Sequence, residues 1–247
     1  MLETFRTVRG VLRSLRIYYG DRDRAGAMDL LYGQFIRRGD LVFDVGAHVG
    51  DRIGSFRRLG ARVVAVEPQP ALARTLRMLH GLKREVRIEQ AAVGRSIGEI
   101  ELRLNVLNPT ISTASEDFIL AAGDAQGWQG EIWDRTIGVP MTTLDALIAK
   151  HGIPSFIKID VEGFEAEALA GLSKPVAALS FEFTTIQKDV AQAALSRCEV
   201  LGYTRFNVAL GESQQFVHGD WQDAQSMAAW LTLLPHEANS GDIYALV

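Results

Sequence analysis

The chain has 247 residues, 47% hydrophobic and 23% charged, which is enough for one well-buried core and favours a single α/β domain with extensions over two domains. A formal net charge of -4 and a pI near 5.8 argue against a surface that tracks nucleic-acid phosphates, and no apolar run reaches the length needed to span a bilayer. A single cysteine, Cys198, cannot form an internal disulfide, and the N-terminus lacks the apolar block of a secretory signal, so a cytoplasmic protein is expected.

Residues 1–38 read as a helical extension, and 39–247 as the main domain. Leu2, Phe5, Val8, Val11 or Leu12, and Leu15 recur at helical spacing with Arg6, Arg9, Arg13 and Arg16 between them. Such a helix either packs its apolar face on the domain or on a second subunit in a homodimer, or makes peripheral contact with anionic lipid. A polar break at residues 20–26 precedes a second helix over 27–36.

From Asp40 the pattern alternates. Strands are expected near 41–45, 62–67, 86–92, 156–160, 177–183, 203–210 and 242–247, and helices near 49–59, 69–81, 142–151, 163–171 and 187–202. Several strands are nearly continuous apolar runs, as parallel strands covered on both faces should be. The fold class is α/β: a Rossmann-like, doubly wound, mostly parallel seven-stranded sheet with an antiparallel C-terminal strand. Residues 98–104 alternate as an edge or hairpin strand. Residues 105–140 read as a long irregular insertion, whose aromatic residues either wall an acceptor pocket or fasten the loop to the core.

The first strand ends in Asp44-Val-Gly46-Ala47-His48-Val-Gly50. Glycine there lets backbone approach a ligand, and a helix beginning near Val49 would point free N–H groups at it. Glu67, 23 residues after Asp44, tips the second strand just before Pro68, where a ribose diol would be held. The third strand ends in Gln90-Ala91-Ala92, and small side chains leave room for a flat ring. The fourth strand carries Lys158, Asp160 and Glu162, spaced to converge above the carboxyl edge of the sheet. An ion pair between Lys158 and a carboxylate is the structural alternative. Glu182, between two phenylalanines on the fifth strand, points to the same edge as a substrate anchor, a base or a partner of Lys158. His48 borders the ligand whatever that ligand is. No zinc spacing, Walker loop or nucleophile elbow is present.

With these residues in place, the chain resembles the FkbM-type methyltransferases, a branch of the S-adenosylmethionine-dependent enzymes. The matching pieces are Phe43-Asp44-Val-Gly46-Ala47-His48-Val-Gly50, Val66-Glu67-Pro68, Ala91-Ala92-Val93, Thr143-Leu144-Asp145, Lys158-Ile-Asp160-Val-Glu162-Gly163-Phe-Glu165 and Phe181-Glu182. They cover a little over half the chain, and the Lys-Ile-Asp-Val-Glu-Gly block is the specific one. His48 stands where many relatives carry Asn. The resemblance implies S-adenosylmethionine as cofactor, bound by Asp44, Gly46, Ala47, His48, Gly50, Glu67, Pro68, Gln90, Ala91 and Asp160. Asp44 would orient its amino-acid end, Glu67 its ribose, and Gln90 and Ala91 its adenine. Asp160 is the first candidate for binding or deprotonating an acceptor hydroxyl, followed by Glu182 and His48. The acceptor implied is a sugar, a glycan precursor or a secondary metabolite. A metal is not expected, because no adjacent Asp-Asp pair follows the fifth strand. The alternatives are a nicotinamide-dependent oxidoreductase, which would want Gly-x-Gly-x-x-Gly, and a non-catalytic cofactor-binding module.

Overall fold

The computed structural model describes residues 2–20 and 22–247, with side chains from 5–20 and 23–247; the expected apolar position at Leu2, and Met1 and Asp21, fall outside the residues so described. In chain order the elements are α1 (Leu2–Tyr19), α2 (Arg22–Tyr32), β1 (Leu41–Val45), α3 (Asp51–Arg58), β2 (Arg62–Val66), α4 (Pro70–His80), β3 (Val86–Glu89), β4 (Ala92–Val93), β5 (Gly98–Leu104), α5 (Glu116–Asp124), β6 (Arg135–Thr142), α6 (Leu144–His151), β7 (Phe156–Ile159), α7 (Glu165–Ala170), β8 (Ala178–Thr184), α8 (Lys188–Leu201), β9 (Arg205–Leu210), α9 (Ala224–Leu233) and β10 (Ser240–Leu246).

The seven expected strands form one sheet in the order β3-β2-β1-β7-β8-β10-β9. Only β10 runs against its neighbours, β8 and β9. Every residue of β1 and β7 is buried, because helices cover both faces. On one face α2, α3 and α4 pack Met28, Leu31, Tyr32, Ile53, Phe56 and Leu76 against Val42, Val63 and Phe156. On the other, α6 to α9 pack Leu147, Leu169, Leu195 and Met227 against Phe43, Ile157 and Phe181. Phe156 stacks on Phe35 at 5.3 Å and 17°. Its truncation to alanine would cost about 3–5 kcal/mol.

The residues expected to form one strand over 86–92 divide at Gln90. Ala92 and Val93 leave the main sheet and pair with Met141 and Thr142 of β6, in a small sheet ordered β4-β6-β5. The insertion is therefore largely structured. Ser115 caps α5 by accepting from the Phe118 N–H, and β6 pairs antiparallel with β5. Gly138 and Pro140 within β6 weaken its strand signature, which is why those residues read as loop. Helix α9 was likewise not expected from the sequence.

The N-terminal helix corrects the simpler expectation. Its inward face carries Gly10 and Ser14, both buried, while Phe5, Val8 and Leu12 are 69, 49 and 60% exposed. Gly10 has no room for a side chain, because Val106 backbone and the Pro109 ring lie against it. Close backbone approach therefore fixes the helix; Phe5, Val8, Leu12 and Ile17 face outward, while Val11, Leu15 and Tyr18 are half-buried.

Candidate active site

The parallel strands end at one edge, and β10, running the other way, begins there. That edge gathers Asp44 from β1, Glu67 just past β2, Asp160 just past β7, Glu182 from β8 and Asp242 from β10 around a single cleft open to solvent.

The turn after β1 builds one wall. Gly46 and Ala47 donate their N–H groups to Val66 O at 2.9 and 3.0 Å, and Gly46 has φ +82°. The space a side chain would occupy at Gly46 is filled by the Asp160 carbonyl. Gly46 lines the cleft, but the glycine is required by this backbone crossing rather than by a ligand. His48 has φ +49° and donates its N–H to Glu67 Oε2 at 2.9 Å, while Gln69 N–H donates to Glu67 Oε1 at 2.8 Å. Two backbone donors thus hold the Glu67 carboxyl in one orientation. Helix α3 begins at Asp51, two residues later than expected. Gly50, at φ +85°, is its N-cap, and a Cβ there would meet Leu76 at 2.7 Å.

Across the cleft, Lys158 is buried and donates from Nζ to Asp160 Oδ2 at 2.9 Å and to Asp242 Oδ1 at 3.0 Å. The structural alternative weighed for Lys158 is thus realised, with Asp160 and Asp242 as partners. Glu165 instead accepts from the Val161 N–H at the start of α7. Glu182 hydrogen-bonds Asp160, and Asp242 lies opposite Glu182 in the β8–β10 register. Oxygens of Asp160, Glu162 and Glu182 come within 4.8 Å of one another. Carboxylates so placed can share a proton, and they also form a donor set that a hard cation could take. The sequence argument against a metal rested on an adjacent pair; these three come from two strand ends.

The charges in the cleft differ because their surroundings do. Burial pushes the Asp44 carboxyl up to about 7, and Lys158 only partly offsets it. Asp44 Oδ2 is buried with no hydrogen-bond partner. Burial likewise pushes Glu67 up to about 8, against the pull of its two backbone donors. Burial lowers His48 to about 4, so its ring is neutral near pH 7. For Asp160, burial pushes up, but the Lys158 ammonium and the Glu182 hydrogen bond hold it below the ordinary carboxylate range. Burial and the Asp160 and Glu162 charges push Glu182 well up, so it is the protonated member of the pair.

Of the residues singled out by sequence, Asp44, Gly46, Ala47, His48, Glu67, Pro68, Ala91, Asp160 and Glu182 all line this cleft. Gly50 and Gln90 do not: the first packs on α4, and the second accepts from Arg77 Nη1 at 3.1 Å. The cleft adds residues that the sequence reading missed. Tyr18 comes from α1, Thr110 and Ser112 from the insertion, Arg52 from α3, Glu212 from the loop after β9, and Asp242 from β10. Asp242 had a signal, an acid heading an apolar strand; Tyr18 and Thr110 had none short of the fold. The insertion's tryptophans are fasteners. Trp128 and Trp133 pack edge-on against Phe118, and Trp133 Nε1 donates to Ile111 O at 2.7 Å.

No curated protein matches the chain. Among solved structures the chain is similar to a TehB-like SAM-dependent methyltransferase from Corynebacterium glutamicum, at 14% identity over 89% of this chain and 86% of that one, TM-score 0.46. It is also similar to Aeropyrum pernix fibrillarin in complex with natively bound S-adenosyl-L-methionine (11% identity, 89% and 73% covered, TM-score 0.46), and to a putative O-methyltransferase from Klebsiella pneumoniae (11%, 96% and 89%, TM-score 0.46). Residues 44–239, from the cleft's first acid almost to its last strand, match the methyltransferase FkbM domain. The chain belongs to the FkbM methyltransferase family, and its cofactor is S-adenosylmethionine.

Proposed function

We propose that this methyltransferase alkylates a hydroxyl oxygen of a sugar, glycan precursor or secondary metabolite, with Asp160 as the group that receives the acceptor's proton. The observation that carries this reading is the placement of Asp160, held by Lys158 Nζ at 2.9 Å and with its carboxyl oxygen within 4.8 Å of that of Glu182, in the same cleft as Asp44 and Glu67.

The residues fit the cofactor. The unpartnered Asp44 Oδ2 is a buried acceptor that asks for a cationic donor, which the ammonium of an amino-acid moiety supplies. Glu67, fixed by two backbone N–H groups, keeps lone pairs for two ribose hydroxyls. Ala91 and Ala92 line the cleft with small side chains, which leaves room for a purine. When bound, the cofactor supplies a methyl carbon on a positively charged sulfur, which an aligned oxygen can take in one displacement.

The chain's own work is therefore placement and proton removal. Asp160 accepts a hydrogen bond from the acceptor hydroxyl and takes its proton as the new C–O bond forms and the C–S bond breaks. Lys158 keeps Asp160 ionised and oriented, and the Glu182 proton leaves the pair with a single charge. His48, lowered to about 4 by burial, is neutral at pH 7; with Nε2 3.4 Å from Thr110 Oγ1 it shapes the wall. Thr110 and Ser112 of the insertion and Glu212 after β9 also line the cleft.

Methyl transfer from radiolabelled cofactor to a panel of glycans and hydroxylated metabolites tests the reading. The expected result is a methyl ether product that Asp160→Asn no longer forms. Transfer to nitrogen or carbon acceptors with hydroxyl compounds inert would overturn it.

A further inference from the structure

The outward face of α1 carries two adjacent stripes. Phe5, Val8, Leu12, Leu15 and Tyr19 recur at steps of three and four and form an apolar stripe; Arg6, Arg9, Arg13 and Arg16 form a parallel cationic one. Both stripes are largely exposed, with Leu15 half-buried, because the helix is seated through Gly10 and Ser14 on the opposite side. A helix that evolves only to cover a core turns its large apolar residues inward. This one does the reverse.

The surface continues onto α4. Thr7 and Val11 of α1 share a groove with Ala71 and Arg74 of α4, and Met78, one turn on from Arg74 on the same face, is 80% exposed. Tyr19 OH lies 3.3 Å from His80 Nε2 and joins the two helix ends. Beyond it Leu82 is 96% exposed, beside Lys83 and Arg84. Apolar side chains and cations thus share one face of a chain whose net charge is -4.

We infer that this face docks on an anionic lipid surface, with the apolar stripe among the acyl chains and the Arg9 and Arg16 guanidinium groups at the headgroups, while Arg6 pairs with Asp134 and Arg13 reaches the Leu107 carbonyl. The charge pattern selects this occupant. Glu3 is the only acid in α1, and neither Arg9 nor Arg16 has an ion-pair partner among the described residues. A second copy fits less well: the apolar stripe spans only about two heptads, short of the three to four of a stable coiled coil, and an isologous contact would put both arginine rows into one interface. Docking in this way sets the active-site cleft beside the bilayer, since α1 also carries Tyr18 into that cleft.

Cosedimentation of the full chain with vesicles of phosphatidylcholine alone, and of equal parts phosphatidylcholine and phosphatidylglycerol, tests the inference. Binding is expected to the anionic vesicles and to weaken with added salt. Arg9→Ala with Arg16→Ala should lower it about 25-fold, each arginine near an anionic surface contributing about fivefold. Leu12→Ser should lower it too, with thermal unfolding and cofactor binding unchanged. Equal recovery with both vesicle types, no recovery with either, or a dimer by light scattering that Leu12→Ser dissolves in the absence of vesicle binding would overturn it. Because neither readout requires methyl transfer, failure here is distinct from failure of the enzymatic reading.

Discussion

The Asp160 carbonyl occupies the volume that a side chain on Gly46 would need. The turn after β1 that we propose holds the cofactor and the acid that we propose faces the acceptor are therefore built against each other, backbone to backbone.

Gly46→Ala meets two penalties, a left-handed φ of +82° and a collision with backbone that cannot swing aside. We expect a loss of about 3 kcal/mol or more in denaturant unfolding, together with weakened cofactor binding. Wild-type stability in this variant would show that the crossing is looser than described.

Asp160→Asn keeps the shape but removes the carboxylate. Calorimetry should find near-normal cofactor affinity, while kcat falls about 10²–10⁴-fold. Stability should fall as well, since Lys158 is left with Asp242 alone. Unimpaired turnover would remove Asp160 from the reaction.

Glu67→Ala releases the backbone N–H groups of His48 and Gln69 and deletes the proposed ribose acceptor. Each lost hydrogen bond is worth about 0.5–1.5 kcal/mol, so losing both ribose contacts should lower cofactor affinity by about tenfold with the fold preserved in circular dichroism. Unchanged affinity would overturn the ribose assignment.

Asp44 and Glu67 both have folded-state pKa values raised by burial, to about 7 and about 8. The folded cofactor-free protein holds these protons where the unfolded chain has released them. Their contribution to stability is full below about pH 4 and is lost as pH rises toward 7 and 8. The midpoint of thermal unfolding should fall across that window, and less so in Asp44→Asn. Cofactor affinity should rise over the upper part of the window, because the ionised carboxyls are the forms that accept from ammonium and ribose. A midpoint that climbs from pH 5 to pH 8, with Asp44→Asn unchanged, would contradict these assignments.

The main sheet was legible because its strands are short apolar runs that only a parallel, doubly covered arrangement can bury; all seven were expected. Away from that core only some elements were: α1 and β5 were legible from their periodicity, but α5, β6 and α9 were not. Strand β6 holds Gly138 and Pro140 and is half exposed, so neither periodicity nor propensity marks it. The acids at the strand tips announced the cleft, since a carboxyl ending an apolar strand is costly without a role. What completes the cleft comes from far along the chain: Tyr18, Thr110 and Asp242 reach it only through tertiary packing. Gly50 and Gln90 show the opposite failure, being next to site residues in sequence but turned toward α4 in space. For α1 the periodicity was legible, but the sequence alone does not choose among the domain, a second subunit and lipid for its apolar face, because Gly10 and Ser14 decide how the helix seats.

The most direct test of the central claim is a crystal structure with S-adenosylhomocysteine bound. The account predicts the ribose hydroxyls on Glu67, the ammonium on Asp44, and the sulfur turned across the cleft toward Asp160. A product molecule seated elsewhere, or one whose sulfur faces away from the Asp160–Glu182 pair, would contradict it.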